Sequence, residues 1–94
     1  MTLDARLTSR AALRYTPAGI PALDFELTHE SVQIEDGDER RVACDIAGVA
    51  LGPVARELAV VTPGANLRCR GFLARRYRTG ITVALHVNAF ELQK

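Results

Sequence analysis

The chain has 94 residues, of which 48% are hydrophobic, and this composition predicts one folded domain over residues 1–94 and excludes a disordered chain. The formal net charge of +1 is too small to attract a polyanion by itself. The charges are nevertheless segregated along the sequence. Eight of the eleven acidic residues lie between Asp24 and Asp45, whereas the stretch from Arg68 to Arg78 holds five arginines and no acid. We therefore expect one acidic and one basic surface.

No signal peptide, lipidation motif or apolar run long enough to cross a bilayer is recognisable, so the sequence predicts a cytoplasmic protein without a membrane partner. Cys44 and Cys69 are distant in sequence, and neither belongs to a CxxC pair. Each lies in an alternating apolar pattern. We expect both to be buried thiols that act as small hydrophobic residues.

The N-terminal segment alternates with a period of two from Leu3 to Tyr15, which predicts one long strand with a buried face. The opposite face would carry Arg6, Arg10 and Arg14. The segment 16–21 contains two prolines and a glycine, and it predicts a turn.

Two further strands and a helix are predicted between the first turn and residue 61. The second strand begins at Leu23, and its apolar phase changes after His29, which predicts a β-bulge with Val32 and Ile34 turned inward. The third strand runs to Leu51 with a similar change of phase near Gly48. The segment from Val54 to Val61 has the spacing of a short helix.

The last two predicted strands occupy residues 66–73 and 81–87, and residues 71–80 between them form the tip of a hairpin. A final change of phase would turn Phe90 and Leu92 inward. The order of elements is therefore five strands, three of them long and bent, with a short helix or loop between the third and the fourth. This predicts an all-β, five-stranded OB-fold barrel. An SH3-like or open meander fits less well, because its strands would be shorter and it needs no helical connection.

Residues for catalysis are not apparent. His29 and His86 are the only histidines, and neither has a cysteine, serine or acid at a spacing typical of a nucleophile or a metal site. Glycines flank the arginine-rich segment without forming a phosphate-binding loop. The sequence therefore predicts a protein that is not an enzyme and that uses no cofactor and no metal.

The basic and aromatic residues indicate binding to single-stranded nucleic acid, since arginines beside a tyrosine suit a polyanion with stackable bases. In an OB fold such a strand crosses the middle of the sheet and the loops between strands one and two and between strands four and five. For Tyr15, packing at the base of a loop remains an equal alternative to stacking. The candidate binding residues are Arg14, Tyr15, Arg40, Arg41, Arg70, Arg75, Arg76, Tyr77 and Arg78.

Four segments of the sequence resemble the primosomal replication protein N family, known as PriB. They are LRYTPAGIP at residues 13–21, FELTHESVQ at residues 25–33, GFLA at residues 71–74 and LHV at residues 85–87. The similarity extends from about Leu3 to Leu92. The family is in turn related to the bacterial single-strand-binding proteins.

The resemblance implies an OB-fold homodimer that binds single-stranded DNA and serves replication restart, in contact with the PriA helicase and a DnaT-like loading factor. The basic loop of the family falls on Arg75, Arg76 and Arg78, and two further basic positions fall on Arg14 and Arg40. Two aromatic positions of the family are lost. Ala43 stands where relatives can carry a stacking tryptophan, and Asp38 replaces an aromatic residue of the loop between strands two and three.

Two alternatives remain open, and the lost aromatic residues favour the first. The protein could be mainly an interaction adaptor with weak nucleic-acid binding, whose basic loop contacts a partner protein. It could also be an RNA-binding OB module, because the sequence contains nothing that recognises or rejects a 2′-hydroxyl.

Overall fold

The fold is all-β with one short helix, in a computed structural model that describes residues 1–75 and 83–93. The elements in chain order are β1 (Thr2–Arg10), β2 (Arg14–Tyr15), β3 (Pro21–Glu35), β4 (Asp38–Leu51), α1 (Pro53–Ala59), β5 (Asn66–Arg75) and β6 (Val83–Gln93).

Five of these strands close into a barrel. They are hydrogen-bonded in the order β1-β5-β6-β4-β3, and β1 pairs with β3 as well as with β5, which closes the sheet. The β4–β6 pair is parallel, and the other pairs are antiparallel. The two-residue strand β2 extends the sheet beside the start of β3. The OB-fold barrel expected from the sequence is thus confirmed, with its helix between the third and fourth barrel strands.

The core fills the barrel with inward side chains at alternate positions of the strands, as the period of two requires. Its largest fully buried side chains are those of Leu7, Leu23, Leu27, Leu58, Leu67, Leu85 and Cys69. The helix α1 contributes Ala55 and Leu58 to this cluster, and it begins with a proline in its first turn, where no hydrogen-bond donor is lost. The prediction of a short helix at this point is confirmed.

The single long strand predicted from Leu3 to Tyr15 is wrong. The pairing of β1 with β3 shifts register between Leu7 and Ser9, and β1 ends at Arg10. The extra residue reverses the phase of the rest of the strand, so Arg10 lies opposite Phe25 and its Nε donates to the carbonyl oxygen of Val61 at 2.9 Å. The arginines of this segment therefore do not form one row.

The β-bulge predicted after His29 and the change of phase predicted near Gly48 are also wrong. The β3–β4 register runs without a shift from Ala22–Leu51 to Glu35–Asp38. The turn uses Asp36 and Gly37 at φ 51° and 81°, which suits a tight two-residue hairpin with the twist of its strands.

The outer part of this hairpin, residues 29–35 and 38–44, is called the arm here, and among the described strands it pairs only with itself. Because β3 continues without a bulge, Val32 and Ile34 keep the outward phase and are 54% and 75% exposed instead of buried. The alternation of apolar residues in the arm is real, but these residues do not face the core.

The change of phase near the end of the last strand is confirmed. The β5–β6 register shifts between Arg70 and Gly71, and Phe90 packs against the core beyond the shift. Gly71 is required there, because a Cβ at this position would overlap the backbone carbonyl of His86. Leu92, expected inward, is 63% exposed, although it pairs with the buried Leu67.

The two thiols lie in different environments, and the expectation that both are buried is wrong for Cys44. Cys69 is fully buried in the core, whereas Cys44 lies on the arm and is exposed. Burial raises the pKa of the Cys69 thiol to about 11, since the thiolate would lose its hydration. Within the described residues, no helix is long and apolar enough to span a membrane.

We predict that a thiol reagent modifies Cys44 rapidly and Cys69 only after unfolding, because the thiolate is the reactive form and Cys69 stays protonated at about pH 8. Absorbance of the released chromophore should show one fast equivalent in buffer and two in denaturant. The variant Cys44→Ser serves as the control and should show none in buffer. Two fast equivalents in the folded wild type would contradict this placement.

Gly48 supplies a second test of the core. It lies opposite Phe25, and a Cβ at Gly48 would overlap the phenylalanine ring. We expect Gly48→Ala to lower the free energy of unfolding by about 1–3 kcal/mol through overpacking. In the double variant with Phe25→Leu, which removes the ring, the two costs should not add. Denaturant unfolding measures the free energy of unfolding of each variant. If the loss in the double variant equals the sum of the two single losses within about 0.5 kcal/mol, the contact between position 48 and the Phe25 ring is disproved.

Candidate functional site

The outer face of β3 and β4 is acidic. Residues directly opposite each other in an antiparallel pair project to the same face, so the register places Asp24 beside Val49, Glu26 beside Ala47 and Thr28 beside Asp45. The hydroxyl of Thr28 donates to Oδ1 of Asp45 at 2.8 Å, which confirms that they share a face. The outward carboxylates of this face are those of Asp24, Glu26, Glu30, Glu39 and Asp45. A phosphate backbone would be repelled along it.

Arg14 reaches this face from β2, but an internal carboxylate holds it. Its Nε lies 3.1 Å from Oδ2 of Asp24, and its Nη2 lies 3.5 Å from Oδ1 of the same residue. The planar guanidinium is thereby fixed against β3 in a two-point contact. Its neighbour Tyr15 is exposed at the end of β2, opposite Pro21, so its ring is accessible.

Arg40 and Arg41, which the sequence places in one site, project to opposite faces of the arm because they are successive residues of β4. Arg41 lies across from Val32 on the outer face, and with Ala43 they line a shallow depression of about 430 Å³. Arg40 lies across from Gln33 on the other face. A single strand on the outer face would therefore meet Arg41 and not Arg40.

Two arginines of β5 form ion pairs on the outside of the barrel. Arg68 binds Asp4 of β1 with its Nε at 2.8 Å from Oδ1, and the guanidinium holds the pKa of that carboxyl below its usual value of 3.8. Arg70 binds Glu91 of β6 at 3.3 Å, with both side chains more than half exposed. Exposed pairs of this kind contribute about 0–1 kcal/mol, so an incoming phosphate can replace the carboxylate of Glu91 at little cost.

Arg75 is the last residue of β5 and is exposed, opposite Val83 of β6. Among the described residues its guanidinium makes no ion pair or hydrogen bond. The other members of the predicted basic loop, Arg76, Tyr77 and Arg78, lie outside the described residues. The structure thus places Arg70 and Arg75 on opposite faces of β5 and keeps Arg14 and Arg41 apart from them on β2 and the arm.

A stacked aromatic pair that the sequence reasoning did not include lies next to Arg70 on the outer face of β5 and β6. Phe72 of β5 and His86 of β6 are opposite each other, with ring centroids 5.2 Å apart and planes within 8°. Phe72 is 50% exposed, although phenylalanine is usually buried. The sequence does show that both residues fall on the outward-facing phase of their strands. It does not show the register of β5 against β6, which places the two rings opposite each other.

The described residues can contact anions and flat rings at the surface. Guanidinium groups of Arg41, Arg70 and Arg75 are accessible to phosphates, and the rings of Tyr15 and Phe72 are accessible to stacking. Within residues 1–75 and 83–93, no group of three His, Cys, Asp or Glu side chains lies close enough to hold a metal ion. The arrangement therefore suits binding of a polyanion with stackable bases.

Comparison with known proteins agrees with this arrangement. The family model "Another single-strand binding protein family" matches residues 1–89. The replication restart protein PriB of Bordetella pertussis is 42% identical over 87 residues, which cover 93% of this chain and 81% of that protein.

Two solved structures have the same fold. The PriB structure of Ralstonia solanacearum superposes with a TM-score of 0.86 at 32% identity, covering 100% of this chain and 96% of that one. The single-stranded DNA binding protein of Thermus aquaticus superposes with a TM-score of 0.81 at 25% identity. There the match covers 99% of this chain but only 48% of the other.

Proposed function

The chain belongs to this family of single-strand binding proteins and, within it, to the replication restart protein PriB group, and from this premise we propose that it binds single-stranded DNA during replication restart. The observation that carries the proposal is an OB barrel whose β5–β6 hairpin leads into a segment rich in arginine and free of acid. Pairing of β5 with β6 extends to Arg75 and Val83, so the arginine-rich segment starts from a rigid base.

Binding would proceed by charge neutralisation and stacking. Arg70, Arg75, Arg76 and Arg78 contact phosphates, and each neutralised phosphate releases counterions, which makes the affinity fall with salt. Tyr77, and Tyr15 at the end of β2, offer rings on which bases stack irrespective of sequence. Arg14, Arg40 and Arg41 contribute at the margins, because Asp24 engages the first and the arm separates the other two. The expected ligand is single-stranded DNA, which the protein binds without strong sequence preference.

We predict that the triple variant Arg75→Ala, Arg76→Ala, Arg78→Ala binds an oligo-dT strand at least about 10-fold more weakly at low salt. The slope of log K against log salt should become shallower by about 0.7 for each lost phosphate contact, or about 2 in total. Fluorescence anisotropy of a labelled strand over a series of salt concentrations measures both quantities.

Arg56→Ala is the matched control, since Arg56 is an exposed arginine of α1 and its replacement removes the same kind of charge elsewhere. It should change neither the affinity nor the slope appreciably. An unchanged salt slope in the triple variant would remove these three arginines from the site.

The partners expected from the family belong to the same proposal. The protein acts as a homodimer that stabilises the PriA helicase on DNA and bridges to a DnaT-like loading factor. A chain of 94 residues buries a smaller share of its surface than a large domain, which favours pairing of two copies.

A second candidate function, that of a protein-interaction adaptor with weak DNA binding, is favoured by the arm. Val32 and Ile34 are exposed on the outer face of the arm, where the carboxylate of Glu39 lies opposite Ile34. Apolar side chains bordered by acids suit a protein surface better than a phosphate backbone.

For the adaptor we expect the purified protein to retain PriA helicase in a pull-down after nuclease treatment. The variant Val32→Ser, Ile34→Ser should lose this retention while keeping its affinity for oligo-dT, because the exposed apolar contacts are removed without changing any charge. Retention that disappears with nuclease in the wild type would leave DNA binding as the function.

A further inference from the structure

The Phe72–His86 stack on the outside of β5 and β6 has no role in the core. We propose that it is a base-stacking platform, and that the DNA strand crosses the outer face of β5–β6 in this protein instead of the outer face of β3–β4. This inference rests on the proposed function and identifies which surface performs it.

The geometry of the pair suits a flat ligand. The rings are nearly parallel, at 8°, and their centroids are 5.2 Å apart, which is an offset stack. The Nε2 atom of His86 lies 3.2 Å from the carbonyl oxygen of Arg75, and this contact fixes the imidazole. Because half of the surface of Phe72 remains exposed, a nucleobase can extend the stack. The platform is rigid before the ligand arrives, so little side-chain freedom is lost on binding.

A shallow depression next to the stack offers space for a base. Its volume is about 150 Å³, and Val49, Leu51 and Asn88 line it together with the two rings. Its walls include no carboxylate. Two larger depressions of the described surface each include an acid, namely Glu30 in both and Asp4 in one of them. The depression beside Phe72 differs from these two because it has no carboxylate to repel a phosphate-linked base.

The alternative path over β3–β4 is poorly equipped in this chain. The outward positions of that face carry the carboxylates of Asp24, Glu26 and Asp45, and its arm has Ala43 at an exposed position where a ring would be needed. These carboxylates repel a phosphate backbone, although Arg41 lies on the same face of the arm. The outer face of β5–β6 carries Arg68, Arg70 and the ring of Phe72, with the carboxylate of Glu91 bound to Arg70.

One arginine lies beside the platform at the spacing of a neighbouring nucleotide. Arg70 is two residues before Phe72 on β5, so both side chains project to the outer face, whereas Arg75, three residues after Phe72, projects to the opposite face at the strand end. Two residues of a strand span about 6.6 Å, which is close to the distance between successive phosphates of an extended single strand. A phosphate next to the stacked base would thus meet the guanidinium of Arg70.

The test compares Phe72→Leu with the wild type, because leucine keeps an apolar side chain but removes the ring. We expect the affinity for oligo-dT to fall by about 5- to 100-fold while the salt slope stays the same, since no charge is lost. Phe72→Tyr should restore most of the affinity. Val60→Ala, which trims an exposed apolar residue after α1, is the control and should bind as the wild type does.

A strand with abasic sites gives a second readout. It keeps every phosphate and offers no ring, so Phe72→Leu and the wild type should bind it equally. Phe72→Trp then reports stacking directly, because the chain has no tryptophan of its own. Its fluorescence should be quenched by oligo-dT and not by the abasic strand.

The outcomes separate the two proposals. If the wild type shows no salt-sensitive binding to oligo-dT, the proposed function fails. If the wild type binds but Phe72→Leu binds equally well, or the tryptophan is not quenched, the platform is overturned and the strand takes the β3–β4 path. If Phe72→Leu loses only the nuclease-resistant capture of PriA helicase, the stack is a protein contact and the inference is equally overturned.

Discussion

Strand β1 closes the barrel by pairing with both β3 and β5, and this closure determines which side chains form the surface. Its first half pairs with β5 and its second half pairs with β3, and the register shift between Leu7 and Ser9 lets one strand serve both neighbours. Leu7 and Leu27 meet inside, opposite each other and fully buried. With these pairings set, the phase of every strand is set, and with it the side chains that face outward.

The outward charges then fall on two faces of different character. The β3–β4 face carries carboxylates, and Arg14, which reaches it from β2, is bound to Asp24. The β5–β6 face carries Arg70 beside a stacked aromatic pair. A net charge of +1 conceals this division, because attraction of a DNA strand depends on the local field and not on the sum. The loss of a ring at Ala43 and the presence of one at Phe72 are consistent with a strand that crosses β5–β6.

Alternation along the sequence predicts most of the barrel and fails at the arm. A period of two reports which side chains share a face, but it does not report which face lines the core. Leu23 and Leu27 have the inward phase and lie in the core, whereas Val32 and Ile34 follow on the same unshifted strand at positions of the outward phase. Cys44 has the inward phase, but it lies on the arm beyond the residues of the core. The phase change before Phe90 is predicted correctly, because it lies beside the core that makes it necessary.

The sequence alone determined the fold class, the position of the short helix, the arginine-rich segment and the absence of a recognisable catalytic pattern, since these depend on local spacing and composition. Only the tertiary structure decided which charges are neutralised and which rings meet. Asp4 and Arg68 are 64 residues apart in sequence and 2.8 Å apart in space, and Phe72 finds His86 across two strands. Such neighbours are set by the register of the sheet, and the register depends on how the whole barrel closes around its core.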